Sequence, residues 1–138
     1  MQTSELFRHR TIESLLAQHS ENVGDAAVDQ WEQMATQIIL IVGEGGFNSL
    51  YARSLHLAQS TFPWLADSSL SPQADQRFKK LKISFEGQTP AQATEANRRL
   101  LITFTDILAS LVGEQLTTRI LRSAWGVDAQ ASKEQENE

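Results

Sequence analysis

One short phrase occurs twice in this chain, and it restricts the fold more than any other feature. Ile41-Val42-Gly43-Glu44 and Leu111-Val112-Gly113-Glu114 stand 70 positions apart in a chain of 138 residues. Each copy closes an apolar run and leads toward an Arg-Ser pair, Arg53-Ser54 in the first and Arg122-Ser123 in the second. Taken alone, the stretch from Ile38 to Gly46 resembles a strand entering a glycine loop that could cradle phosphate. The second copy ends a run in which Leu100, Phe104, Ile107 and Leu111 are followed in register by Glu114, Thr118, Leu121 and Trp125. That is a helix period, and no strand fits there. The repeat therefore favours helix at both places.

The rest of the pattern agrees. Leu6, Phe7, Ile12, Leu15 and Leu16 give the apolar side of a first helix from about Thr3 or Ser4 to His19. After a polar break, Asp25 is positioned to cap a second helix. Ala27, Trp31, Met34, Ile38 and Ile41 then recur at helical spacing, and Tyr51, Leu55, Ala58 and Phe62 continue the stripe as far as Pro63. Trp64 to Ser71 is expected to be loop. Ser71-Pro72 predicts the start of a third helix, with Phe78, Leu81 and Phe85 on one face and Gly87 as its stop. The alternation of Leu81, Ile83 and Phe85 would also suit a short strand. Thr89-Pro90-Ala91-Gln92 is a capping-box pattern opening the last long helix. The expectation is all-α: a four- to five-helix bundle built from two pseudo-repeated helical hairpins, about 1–65 and 71–126, within a single domain 1–126.

Composition decides which functions to weigh. There is no cysteine, so no disulfide, zinc–thiolate site or thiolate nucleophile. The net charge of -5 is uneven: residues 127–138 carry -3 of it and the body only -2. A balanced body gives no general attraction to nucleic acid or to an anionic membrane. The tail, Glu- and Gln-rich with few apolar groups, is expected to be disordered. The longest apolar run is far too short to cross a bilayer, and the N-terminus has no signal-peptide pattern, so the expected location is cytoplasmic.

The chemical signals are sparse. Gly43-x-Gly45-Gly46 lacks a third glycine at Asn48, a βαβ setting and a P-loop Lys-Ser/Thr, so the glycines are better explained as a bend or a close helix contact than as a nucleotide loop. Glu44 and Glu114 fall on core-facing stripes, where a carboxylate needs a cation. Arg53, Arg119 and Arg122 are the suppliers nearest in sequence. The cluster Glu44, Arg53, Glu114 and Arg122 is thus either a register-setting set of ion pairs or the lining of a small-ligand cavity at the bundle centre. His56 on a long helix suggests a phosphoacceptor, since histidine-phosphotransfer domains are four-helix bundles with one exposed histidine. The Lys and Gly that usually follow that histidine are missing from Leu55-His56-Leu57-Ala58-Gln59-Ser60. Phe62, Trp64 and Leu65 are interface candidates if their loop stays exposed.

No nucleophile–base motif, metal-ligand spacing or cofactor fingerprint is legible, and the basic run Arg77, Lys79, Lys80, Lys82 reads as a solvated face. By elimination, the leading expectation is a non-enzymatic regulatory or protein-interaction domain of bacterial signalling type, self-associating as a homodimer. The alternative is a phosphotransfer or small-ligand-sensing bundle.

Overall fold

A computed structural model describes residues 2–17 and 22–126. The expected disordered tail 127–138, and His19, lie outside the described residues. Among the described residues five α-helices form: α1 (Gln2–Ala17), α2 (Val23–Ala58), α3 (Lys79–Glu86), α4 (Pro90–Val112) and α5 (Glu114–Trp125). Two short 3-10 turns, Pro63–Asp67 and Ala74–Gln76, lie in the connection between α2 and α3. Among the described residues there is no strand, so the alternation of Leu81, Ile83 and Phe85 resolves as helix. Leu81 and Phe85, four apart, are buried, while Ile83 is exposed.

Both copies of the repeated phrase break a helix in the same way. Gly43 has φ 83 and ψ 164, and Gly113 has φ 97 and ψ 155. This positive-φ, extended-ψ region is essentially restricted to glycine. The bend that the first glycine cluster suggests falls at Gly43, so α2 is two arms, 23–42 and 44–58; the last long run, expected to be one helix, is corrected, being divided at Gly113 into α4 and α5. Each pair of arms doubles back. Trp31 and Tyr51 touch edge to face, with ring centroids 5.4 Å apart. Twenty residues of straight helix would hold them about 30 Å apart. Ile41 and Leu111, expected on the core stripe, are exposed instead, because the break comes before the stripe can complete another turn.

Burial repeats with the same offset as the phrase. Trp31 and Leu101, Met34 and Phe104, Ala35 and Thr105, Ile38 and Leu108, Phe47 and Thr117, Leu50 and Ile120, and Tyr51 and Leu121 are all buried pairs. Leu81 and Phe85 stand 70 positions after the buried Thr11 and Leu15. The packing is not that of two self-contained hairpins, however. α1 lies on α4 and α5, and α3 packs mainly on α2. Each short helix thus serves the long helix of the opposite half.

The centre is filled by side chains. Trp31, Phe47, Tyr51, Phe78 and Phe104 form a fully buried aromatic cluster with ring centroids 5.2 to 6.4 Å apart. Such contacts add roughly 0.5–1.5 kcal/mol each beyond the area buried. Polar atoms within the core are paired. The Trp31 indole N–H donates to Asn97 Oδ1 at 2.9 Å, and the Asn97 amide donates to Gln30 Oε1 at 3.0 Å. A helical start is also corrected: the Ser71 N–H donates to the Arg77 carbonyl at 3.0 Å, closing a loop where Ser71-Pro72 predicts a helix. Phe62, Trp64 and Leu65 are not an exposed loop either. Leu65 is fully buried, and Trp64 stacks edge-on against Phe62 and Phe85.

Candidate functional site

The helix breaks position two glutamates, and each meets an arginine from the approach to, or the body of, a short helix. On one side Arg8 of α1, 1% exposed, is clamped from three directions. Its Nε and Nη2 donate to the two oxygens of Glu114 at 3.0 and 2.8 Å. Its Nη1 donates to Asp106 Oδ1 at 2.7 Å and to Thr105 Oγ1 at 2.9 Å. A forked contact to a carboxylate is the strongest form of such a pair. Burial works against the Arg8 charge, but the bonds to Glu114 and Asp106 outweigh it and hold the guanidinium above its ordinary pKa. The hydrogen bond from Arg8 likewise pulls the Glu114 carboxyl below its ordinary value.

On the other side Arg77 donates to Glu44 Oε2 at 3.2 Å, a single bond to a carboxylate 63% exposed. The Arg77 side chain itself is only 12% exposed. Glu32, on the first arm of α2, is the other acid near it; burial raises the Glu32 carboxyl while Arg77 pulls it the opposite way.

These contacts redraw the expected cluster. Glu44 and Glu114 are ion-paired, but with Arg77 and Arg8 rather than with Arg53 and Arg122. Arg53, Arg119 and Arg122 are exposed. The partners come from α1 and from the segment just before α3, remote in sequence, so no spacing along α2 or α5 could have named them. Nor do Glu44 and Glu114 share a central cavity, because the aromatic cluster occupies the centre. His56 is exposed in the last turn of the second arm of α2.

A cavity does exist, off-centre. It has a volume of about 560 Å³, between the second arm of α2 and the segment leading to α3. That lies within the usual range for small-molecule pockets. Glu44, Asn48, Gln59 and Arg77 contribute polar groups, while Leu55 and Leu70 contribute apolar wall. Tyr51 also borders it, with its hydroxyl committed to the Ser68 carbonyl at 2.7 Å. Burial pushes the Tyr51 phenol far up, so it stays protonated.

Comparison with family models, with curated proteins and with solved structures gives no match.

One further cluster escapes sequence inspection. Glu5 and His9, one turn apart on α1, come together with Asp106 of α4 so that their ligand atoms lie within 4.8 Å of one another. Asp106 Oδ1 already accepts from Arg8 at 2.7 Å and lies 3.1 Å from His9 Nε2. A guanidinium on the same oxygen opposes a metal cation, and the cluster is best described as the outer edge of the Arg8 clamp.

Proposed function

We propose that this is a non-enzymatic regulatory domain of the bacterial, cytoplasmic signalling type that works by self-association. Its two halves are further proposed to be copies of one unit, a short helix followed by a helix bent at Val-Gly-Glu. The observation that carries self-association is apolar exposure beside both bends: Leu40 is 79% exposed, Ile41 46% and Leu111 66%. Ile41 and Leu111 hold the same position in the two copies of the phrase. Covering such side chains is worth about 25 cal/mol for each Å² of apolar area removed from water.

A second copy of the chain is the favoured occupant. The body charge of -2 sets up little repulsion between copies, and identical apolar patches suit a two-fold contact in which each surface matches itself. Support for the duplication comes from the two glycines of matching φ and ψ, the burial pattern at the 70-residue offset, and a glutamate–arginine pair after each break. Among the described residues no helix is long and apolar enough to cross a membrane.

The test is sedimentation equilibrium on the wild type and on the Leu40→Glu/Leu111→Glu double variant. Both substitutions fall on exposed positions and leave the helical circular dichroism intact. A concentration-dependent dimer that the double variant reduces to monomer supports self-association. A wild type that stays monomeric across the whole concentration range ends it.

A further inference from the structure

We propose that the off-centre cavity binds a small monocarboxylate with a short apolar body, held by Arg77. The two arginines are held very differently. Arg8 is satisfied by Glu114, Thr105 and Asp106 together. Seventy positions before Thr105 and Asp106 stand Ala35 and Thr36, and neither is a partner of Arg77: Ala35 has no polar side chain, and the Thr36 hydroxyl donates to the Glu32 carbonyl at 2.9 Å. Arg77 is left with one hydrogen bond, to Glu44. No buried side-chain nitrogen or oxygen among the described residues lacks a partner. The Arg77 nitrogens that Glu44 does not use are therefore solvent-accessible, on a side chain that lines the cavity.

The class of ligand follows from charge and shape. A guanidinium presents a planar fork that matches a carboxylate in two parallel bonds. Arg77 and Glu44 are the charged groups of the lining, so the walls carry no net charge, and Glu32 adds a further acid beyond them. A dianionic phosphate would meet repulsion from both acids, whereas a singly charged carboxylate meets one cation at lower cost. Leu55, Leu70 and Ala52 offer an apolar wall for the remainder of the molecule. Glu44 is 63% exposed and held by one bond, so it can swing aside as the ligand takes its place. It acts as a built-in competitor for the same guanidinium.

Backbone amide shifts in a two-dimensional ¹⁵N–¹H NMR spectrum test this, with sodium hexanoate as the probe and hexanamide and inorganic phosphate in parallel. Expected are saturable shifts at Asn48, Ala52, Ser69 and Ser71 with hexanoate, and binding roughly tenfold weaker or worse with the other two, tenfold being the loss expected for one charge-assisted contact. Arg77→Gln removes the response. Glu44→Gln, an exposed change that leaves the fold intact, tightens hexanoate binding severalfold by removing the competitor. Shifts that do not saturate, an equal response to hexanamide or phosphate, or weaker binding in Glu44→Gln would each overturn the assignment. If Arg77→Gln fails to fold, the hexanamide comparison and Glu44→Gln decide it.

Discussion

Glu114 and Glu44 follow the same helix break but differ in how much they hold. Glu114 uses both oxygens on a buried guanidinium, whereas Glu44 makes one long bond at the surface. Losing a charge-assisted bond to a buried group costs about 1.5–3 kcal/mol, and partial exposure of Glu114 brings the expectation to its lower end. A single exposed pair is worth about 0–1 kcal/mol. Glu114→Gln is thus expected to destabilise clearly at neutral pH in urea unfolding, with Glu44→Gln nearly neutral. The Glu114 carboxyl titrates below its ordinary value of 4.5 in the folded chain. Its contribution is complete above that value and is lost as the pH falls through the lower folded pKa. The stability gap between wild type and Glu114→Gln should therefore close on acidification below 4.5; a gap that persists unchanged would show that the Arg8 clamp does not rest on this charge. A core-facing glutamate implies an arginine, and that much is legible in the stripe. Which arginine is not, because Arg8 lies 106 positions from Glu114 and reaches it only through the docking of α1.

At the scale of the element, glycines that look alike in sequence do different work. Gly43 and Gly113 have positive φ and open space where a Cβ would stand, so strain alone opposes a side chain there. Gly45 also has open space, but lies within a helical arm without positive φ. Gly113→Ala and Gly43→Ala should each cost about 1–3 kcal/mol, the range for a residue held in a sparsely populated backbone region. Gly45→Ala should instead stabilise by up to about 1 kcal/mol, the difference in helix propensity. Thermal unfolding of the three variants distinguishes a repeated structural break from a generic glycine-rich stretch: an unchanged Tm in Gly113→Ala would remove the break from the account. The clustered glycines predict either a bend or a close helix contact, and the location of the bend at Gly43 rather than Gly45 or Gly46 follows the position shared with Gly113. Thr89 does cap α4, its Oγ1 accepting from the Gln92 N–H at 3.2 Å. Ser71-Pro72 carries an equally good local signal and starts no helix, because Phe78 is drawn into the aromatic cluster and α3 begins only at Lys79.

For the whole molecule, the decisive feature is the exchange of short helices between halves. α1 runs antiparallel to α4, with Arg8 at Thr105 and Glu13 3.1 Å from Arg98. α3 runs antiparallel to the first arm of α2, with Phe78 on Trp31 and Lys82 2.8 Å from Asp25. Neither half can bury its own apolar face without the other. Fragments 1–66 and 67–126 are each expected to show little helix by circular dichroism when separate, and to regain it on mixing. A fragment that folds alone as a monomer would show that the halves are independent hairpins after all.

Periodicity, the absence of strand chemistry and the twice-written Val-Gly-Glu determine by themselves an all-helical chain with a related feature in each half and an acid after each glycine. These are local properties, carried by residues within a turn or two of one another. The tertiary structure alone decides that the glycines fold the long helices back, that Leu40, Ile41 and Leu111 are exposed beside the bends, and that the short helices cross to the opposite half. It also decides that Arg8 is held by Glu114, Thr105 and Asp106 together, while Arg77, beside a cavity, makes one bond to Glu44. Each of these depends on which distant surfaces meet, and the free energy of that meeting comes from area and charge that only the assembled core brings together.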